Sequence, residues 1–242
     1  GKVDLAVVRH DLAFPRIGQA VAVLRRNYAV MFAPGGSLGA SGENANGKEK
    51  PARIENIEDL AGKRIGVVGR SQANVDLLKI ILGQYEIPLE RVIVIHLPTN
   101  NVTAAIREQK PDAILTIGPL SSRITAEALS AVTAITPNKK PPVFIPIDSS
   151  EAIAERFTAY ESGEIVKGSF GGSPSRPDQD IETVMVSHYV VAANSANEAT
   201  IGELARLLLS SRQTLSSELM GFAKIEKPNT DKDANVAVHP GA

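Results

Sequence analysis

Residues 64–82, which read RIGVVGRSQANVDLLKIIL, decide the fold of this chain. The first five residues include an isoleucine and two valines and form a mainly apolar run, which is typical of a strand covered on both faces. Residues 72–82 then place apolar side chains at helical spacing, with Val75, Leu78 and Leu82 on one side. A buried strand that leads through a glycine turn into an amphipathic helix is the start of a βαβ unit.

The same alternation extends along the chain in both directions. Short apolar runs predict further strands at residues 3–8, 20–24, 28–32, 92–96, 113–117, 143–147 and 184–191. Helical spacing predicts further helices at residues 101–108, 151–160 and 201–209. Because strands that alternate with helices form largely parallel sheets, we expect an α/β protein.

Two segments interrupt this alternation. Residues 34–53 are rich in Gly, Ser, Asn and Lys, and a second irregular segment, residues 161–180, has five Gly and Pro residues between positions 168 and 177. Each segment adjoins a strand, and we expect those two strands to lie side by side and to connect two lobes. The predicted lobes are residues 1–33 with 184–242, and residues 34–183.

Composition excludes several classes of protein. The 242 residues are 43% hydrophobic and 22% charged, which is the usage of a globular protein rather than a disordered one. With 26 basic residues against 27 acidic ones and 4% aromatics, neither charge nor stacking favours nucleic acid as a partner. The chain has no cysteine, which excludes disulfides and thiolate sites. No stretch reaches the roughly 18 apolar residues that span a bilayer.

Motifs for catalysis and metal binding are weak. Residues 35–39 (GGSLG) match the letters of a nucleophile elbow around Ser37, but the polar residues 40–50 do not predict the helix that this motif requires. The four histidines form no H-x-x-x-H pair, and no D-x-D-x-D loop favours calcium. We therefore expect a flexible loop around Ser37, no metal and no cofactor.

Ligand contacts are expected where strands end, because open α/β sheets bind ligands outside the carboxyl ends of their strands. Arg9 and His10 follow the first predicted strand and are candidates on that ground. Gly118 follows the strand at 113–117 in the same way. Phe170 lies in a glycine-rich segment that fits either a cleft wall or a solvent loop.

The turn after the strand quoted first is the strongest candidate. Gly69 allows a ligand to approach the backbone closely. Ser71, Gln72 and Asn74 stand at a helix start, where free N–H groups bind anions. An ordinary helix cap also explains Ser71 or Asn74, but Arg70 adds a cation that a cap does not need. Together these residues predict a site for an anion or a carboxylate.

Taken in order, several segments resemble the TAXI family of solute receptors, which serve TRAP transporters and have the type II periplasmic binding protein fold. The segments are residues 1–6 (GKVDLA), 57–66 (IEDLAGKRIG), 112–113 (DA), 165–184 and the closing 238–242 (VHPGA). The pocket loop of the family falls on residues 69–75, where this chain lacks the second glycine and carries Arg70.

The resemblance implies an extracytoplasmic, two-lobed receptor that performs no chemistry. It implies a small anionic or zwitterionic solute, such as a carboxylate or an amino acid, held between the lobes by Arg9, His10 and the helix start. Membrane subunits of a TRAP-type transporter are then the partner, and the location is periplasmic or membrane-anchored. The alternatives are a ligand-sensing domain of a regulator and an enzyme on the same scaffold, such as a hydrolase or a relative of thiamine-pyrimidine synthases.

The resemblance also implies that the front part of lobe one precedes residue 1. Lobe one would then lack strands against which it normally packs. We therefore expect this lobe to show exposed apolar surface or a partner that covers it.

Overall fold

The computed structural model describes residues 4–12, 14–36, 42–43, 49–50, 53–218, 224–230 and 235–242. Ser37 of the elbow-like motif lies outside these residues. The strands are β1 (Leu5–Arg9), β2 (Gly18–Ala33), β3 (Gly42–Glu43), β4 (Glu49–Lys50), β5 (Arg64–Val68), β6 (Ile93–Leu97), β7 (Ala113–Gly118), β8 (Val143–Phe144), β9 (Glu161–Ile165) and β10 (Ile181–Ala193).

The α-helices alternate with these strands from residue 72 onward. They are α1 (Gln72–Gln84), α2 (Val102–Gln109), α3 (Arg123–Ile135), α4 (Ser150–Arg156), α5 (Glu198–Ser210) and α6 (Arg212–Glu218). Short 3-10 helices cover Ile57–Leu60, Leu89–Arg91 and Pro137–Lys139. Within the described residues, no helix combines the length and the apolar character needed to cross a membrane.

The chain divides into two compact units. Unit 1 comprises Gly1–Asn27, Ala154–Glu161 and Met185–Ala242, and unit 2 comprises Tyr28–Ile153 and Ser162–Val184. β2 and β10 are neighbouring strands, and each contributes residues to both units. The lobe boundaries inferred from the sequence stay a prediction.

Unit 2 contains the strand and helix alternation predicted around residues 64–118, which confirms the α/β class. β5 pairs in parallel with both β6 and β7. β7 pairs antiparallel with the second half of β2, and β8 pairs antiparallel with the end of β2. The parallel arrangement that we expected therefore holds for β5, β6 and β7, which are joined by helical crossovers, and not for β1, β2 and β8.

The helix α3 is absent from the elements predicted above. Its sequence, RITAEALSAVTAI, buries small residues such as Ala128 and Ala131 beside Leu129 and Val132. Ala128, Val132 and Ile135 recur at helical spacing, so the apolar stripe that indicates this helix is present in the sequence. The helix follows the N-cap residue Ser122, whose side chain accepts a hydrogen bond from the Thr125 backbone N–H at 3.3 Å.

The strands predicted at 20–24 and 28–32 are one continuous strand, β2. Residues 25–27, which separate the two apolar runs, are buried or half-buried within it. Arg26 is tolerated there because its charge is paired with the distant acidic residues Glu161 and Glu226. A local pattern of apolar residues cannot show such partners, so the interruption resembles a break between two strands.

Three other predicted bounds differ from the structure. The helix predicted at 151–160 ends at Arg156. The strand predicted at 143–147 covers only Val143–Phe144, because Pro146 lacks the N–H that a longer ladder would need. β9 lies in a segment predicted to be irregular, and it pairs with β10.

Unit 1 is built on β1 and β10, which pair antiparallel from Leu5 opposite Ala192 to Arg9 opposite His188. Its buried apolar cluster beneath α5 consists of Val21, Ala192, Ile201 and Ala205. Several large apolar side chains near β1 are exposed instead: Leu5 (43%), Val7 (59%), Leu12 (50%) and Ile17 (65%). Ile93 and Val166 of unit 2 are exposed to a similar extent, so the apolar surface expected for lobe one stays a prediction.

Gly66 provides a test of packing around β5. A Cβ atom at this position would lie 2.6 Å from Leu97 Cδ1 and 3.3 Å from Pro111 Cβ. We expect Gly66→Ala to lower the free energy of unfolding by about 1–3 kcal/mol, because a close-packed core has no room for an added methyl group. Urea unfolding of the purified chain measures this change.

Gly83 provides the matched control. It lies on the exposed side of α1, and no described heavy atom comes within 4 Å of the position that an added methyl group would take. Gly83→Ala should leave stability unchanged or raise it by up to about 1 kcal/mol, because alanine favours the helix. Equal unfolding free energies for the two variants would contradict this view of the core.

Candidate functional site

Unit 1 contains a cavity of about 320 Å³, and every residue that lines it belongs to that unit. The walls come from the end of β1, the middle of β2, β10, the segment before β9 and the C-terminal residues. Its polar lining residues include His10, Arg26, Glu161, Tyr189, Lys227 and Asn235. His10 is therefore the predicted binding residue that the structure places in this cavity.

Arg26 is the central charged group of the cavity. Its Nε donates to Glu161 Oε2 at 2.9 Å, and its Nη1 pairs with Glu226 Oε2. Burial alone lowers the pKa of Arg26, but the hydrogen bonds with Glu226 and Glu161 outweigh that effect and raise the pKa. The guanidinium therefore stays charged, and two carboxylates already balance it.

Glu161 is held on both of its oxygens. Oε2 accepts from Arg26, and Oε1 accepts from the hydroxyl of the fully buried Ser187. Ser187 does not line the cavity, so this bond orients Glu161 and does not present a nucleophile to a ligand. A carboxylate has about four acceptor positions, so Glu161 retains capacity for a donor from a ligand.

His10 and Tyr189 form an aromatic wall. Their rings meet edge to face, with centroids 5.4 Å apart. Burial lowers the pKa of His10, although the charges of Glu161 and Asp11 oppose that effect. Burial also raises the pKa of Tyr189. At neutral pH the wall therefore presents an uncharged imidazole and a protonated phenol.

Lys227 supplies a cation of a different kind. It is exposed at the cavity, and it forms no ion pair with any residue that the structure describes. Glu161, by contrast, has its orientation set by protein donors. The cavity can thus offer an exposed cation, unpaired among the described residues, to an acidic group and a fixed carboxylate to a donor.

Arg9 ends β1 and does not line this cavity. Its Nε lies 2.7 Å from Asp11 Oδ1, and its Nη2 donates to Asp11 Oδ2 at 2.7 Å. The Asp11 side chain is 2% exposed and also accepts from the Tyr160 hydroxyl at 3.4 Å. The charge of Arg9 is therefore balanced by a buried carboxylate, and its contact with a ligand stays a prediction.

The predicted anion site at the start of α1 belongs to unit 2. Gly69 has φ +98°, a backbone conformation that favours glycine. A methyl group there would lie 3.1 Å from Asn74 Nδ2. Asn74 is buried, and its Nδ2 donates to the Val68 carbonyl at 2.9 Å. Asn74 therefore fastens the turn to β5, which is a structural role.

The remaining residues of this turn face solvent. Arg70, Ser71 and Gln72 are exposed. Ser71 occupies the N-cap position of α1 without a side-chain cap hydrogen bond, and Gln72 Nε2 donates to Asp76 Oδ1 at 3.0 Å. Arg70 forms no ion pair with the described residues. Anion binding by Arg70 and Ser71 stays a prediction that this exposure permits.

Gly118 and Phe170 lie in different surroundings. Gly118 ends β7, and because β5 and β7 are parallel, it lies on the same sheet edge as Gly69. Phe170 stacks on Phe144, with ring centroids 5.6 Å apart and an interplanar angle of 4°. Its ring packs against the core of unit 2, which is a packing role for this predicted ligand residue.

The sequence interpretation did not identify Arg26, Glu161 or Lys227. Arg26 falls in the polar interruption between two predicted strands. No local signal marks it, because the polar residues 25–27 resemble a break between two strands. Glu161 and Lys227 carry no such signal, because neither belongs to a recognisable motif. In the part of the chain that the structure describes, no group of three His, Asp or Glu residues could hold a metal ion.

His188 gives unit 1 a dependence on pH. Burial, followed by the charges of Arg25 and Arg9, lowers its pKa from 6.5 to about 4. Between those values the unfolded state binds more protons than the folded state, so stability is lost as the pH falls from about 6.5 toward about 4. Glutamine does not titrate, so His188→Gln should lose less stability than the original chain over this pH range. We expect the difference in the free energy of unfolding to be about 1–2 kcal/mol, after allowance for solvent screening.

The measurement is urea unfolding at about pH 7 and about pH 4.5. His96 is an exposed histidine on β6 and supplies the control. His96→Gln should retain the pH dependence of the original chain. If His188→Gln also retains it in full, His188 does not contribute to the loss of stability.

Comparison with solved structures shows low similarity. The alkanesulfonate-binding protein SsuA from Xanthomonas axonopodis pv. citri, bound to MOPS, is 18% identical, with 52% of this chain and 40% of that chain covered and a TM-score of 0.31. The periplasmic aliphatic sulphonate-binding protein SsuA from Escherichia coli is 13% identical, with coverages of 88% and 58% and a TM-score of 0.37. A protein from Archaeoglobus fulgidus is 13% identical, with coverages of 89% and 58% and a TM-score of 0.39.

The chain thus spans between 40% and 58% of the length of these proteins. No curated protein matches it. A sequence family does match, over residues 44–242, which is most of the chain. The chain belongs to the NMT1-like family.

Proposed function

We propose that this chain is the solute-binding part of an extracytoplasmic receptor, and that the cavity of unit 1 takes a small zwitterionic or anionic solute. The observation that supports the proposal is the pair of opposite charges in that cavity. Lys227 is a cation without an ion-pair partner among the described residues, and Glu161 is a carboxylate held in place by protein donors.

The balance of charge favours a zwitterionic ligand. Arg26 is paired with Glu161 and Glu226 and needs no further anion. The exposed Lys227 brings the net charge of these four groups to zero, so a ligand with one group of each sign keeps the cavity neutral. A carboxylate of the solute would pair with Lys227, and an ammonium group would approach the free lone pairs of Glu161.

The size of the cavity restricts the solute. Small-molecule sites usually have volumes of about 300–1,000 Å³, and the 320 Å³ here lies at the lower end of that range. An amino acid or a short mono- or dicarboxylate fits such a volume. The neutral His10 and protonated Tyr189 would supply uncharged hydrogen bonds to the same molecule.

The finer assignment rests on the resemblance of sequence motifs. Residues 57–66, 165–184 and 238–242 resemble segments of TAXI receptors, and on that ground we propose the membrane subunits of a TRAP-type transporter as the partner. A periplasmic or membrane-anchored location goes with this role. A ligand-sensing domain of a regulator would use the same cavity but would not associate with transporter subunits.

Lys227 provides the test of the cavity. We expect isothermal titration calorimetry with amino acids, monocarboxylates and dicarboxylates to identify a solute that binds the chain. Lys227→Gln should weaken that binding about tenfold or more, because it removes a charge-assisted hydrogen bond.

Lys79, an exposed residue on α1 in unit 2, supplies the control, and Lys79→Gln should leave affinity unchanged. The proposal is wrong if no solute of these classes binds. It is also wrong if Lys227→Gln binds the identified solute as tightly as the original chain.

Arg70 tests the separate prediction about the start of α1. If its guanidinium contacts the acidic group of the solute, Arg70→Ala should weaken binding about tenfold or more. Arg107, which is exposed on α2, serves as the control through Arg107→Ala. Unchanged affinity in Arg70→Ala would remove the helix start from the site and leave the cavity of unit 1 as the place of binding.

A further inference from the structure

Unit 2 contains a second and larger cavity, a groove of about 700 Å³ whose lining residues all belong to that unit. We call it the proline groove. It is formed where β2 ends, by the segment around β8 and by residues 174–179. It shares no residue with the cavity of unit 1.

The proline groove lies at the edge of the unit 2 sheet opposite to the predicted helix-start site. In the antiparallel pair of β2 and β7, Tyr28 lies opposite Gly118, and Phe32 lies opposite Ile114. Gly118 is the last residue of β7 and shares its edge with Gly69. The groove includes Gly35, which follows the other end of β2. The two places are therefore separate.

One part of the lining of the proline groove is apolar and stiff. It consists of Phe144, Val143 and five prolines, at positions 141, 142, 146, 174 and 177. Proline has a fixed φ and no backbone N–H. This part can therefore pack against an apolar body, and hydrogen-bond donors must come from the other lining residues, of which charged side chains are the strongest.

Those donors are cations. Arg53, Lys140 and Arg176 all line the groove, and none of them forms an ion pair with any residue that the structure describes. Two acidic residues, Glu55 and Asp178, also line it, and neither pairs with these cations. The Nε of Arg176 is buried without a hydrogen-bond acceptor among the described residues.

The backbone around Arg176 is shaped to hold its guanidinium. A Cβ atom on Gly171 would lie 2.7 Å from Nη2 and 3.1 Å from Nε of Arg176. Gly171 also has φ +138°, which disfavours any other residue. The Arg176 backbone N–H donates to the Gly171 carbonyl at 2.7 Å. The loop therefore seats the guanidinium against a glycine and fixes its place in the groove.

We propose that the proline groove binds an organic anion with an apolar body. Its acidic group, a carboxylate or a sulfonate, pairs with the guanidinium of Arg176, which lines the groove. The apolar body packs against Phe144 and the prolines, and Arg53 and Lys140 add attraction at the rim. The volume of the groove lies in the middle of the usual range for small-molecule sites. This second site is independent of the solute proposed for unit 1.

Naphthalene-2-sulfonate is a suitable probe, because it joins an acidic group to an apolar body. We expect the full chain to bind it at one saturable site in a fluorescence titration. Arg176→Gln should weaken binding about tenfold or more, and Lys140→Gln should weaken it less, because Lys140 is exposed. Arg91 is exposed and outside the groove, so Arg91→Gln should bind the probe unchanged.

Further measurements separate the proposal from a loss of folding and from binding elsewhere. Circular dichroism must show that Arg176→Gln is folded, and Gly171→Ala, which displaces the guanidinium, should also weaken binding. Neutral naphthalene should bind at least about tenfold more weakly than the sulfonate. Equal binding of both probes, or unchanged affinity in Arg176→Gln and Lys140→Gln, would overturn the proposal.

The variant Lys227→Gln distinguishes the two sites. It should leave binding of naphthalene-2-sulfonate unchanged, because Lys227 lines the cavity of unit 1 only. If Lys227→Gln abolishes binding of the probe, the probe occupies unit 1. That outcome would overturn the proposal for the groove and leave the proposed solute site standing.

Discussion

The guanidinium of Arg26 holds together the parts of the chain that build the unit 1 cavity. Its partners, Glu161 and Glu226, are 135 and 200 residues away in the sequence. The three side chains are between 27% and 43% exposed, so the network contributes less than a fully buried ion pair, whose disruption costs about 3–5 kcal/mol. Its larger effect is geometric, because it fixes the direction in which Glu161 faces the cavity.

The fold of unit 2 could be predicted from the sequence because its decisive contacts are local. β5, α1, β6 and β7 each carry their own apolar pattern, and the connections between them are short. The continuity of β2 could not be predicted, since the residue that interrupts its apolar pattern is stabilised by partners far along the chain. The helix α3 is different, because its apolar face repeats at helical spacing through Ala128, Val132 and Ile135, and the sequence alone is sufficient to predict it.

The difference between local patterns and distant partners also explains which residues of the candidate site could be predicted. The rule that ligands lie beyond strand ends led to His10, which does line the cavity. The rule could not identify Glu161, because this residue begins β9 and is oriented by hydrogen bonds from Arg26 and Ser187. Phe170 was a candidate because of its glycine-rich segment, and its ring stacks on Phe144. Position relative to a strand is local information, whereas the pairing of charges is not.

The C-terminal residues show how a short motif supports a distant wall of the cavity. Val23 and Glu226 exchange two backbone hydrogen bonds at 3.0 Å, and the backbone N–H of His239 donates to the Ala20 carbonyl at 2.9 Å. Lys227 therefore lies, along the sequence, between two points at which the chain is fastened to β2. The turn itself tolerates no side chain at Gly241, where a Cβ atom would lie 2.3 Å from the carbonyl oxygen of Glu198.

This arrangement gives the closing VHPGA segment a physical role. His239 is 1% exposed, and its Nδ1 accepts from the Gly241 backbone N–H at 3.1 Å. The turn thereby packs the end of the chain against the start of α5. The segment helps to hold the wall of the cavity in place, because it fastens the chain to β2 on the C-terminal side of Lys227.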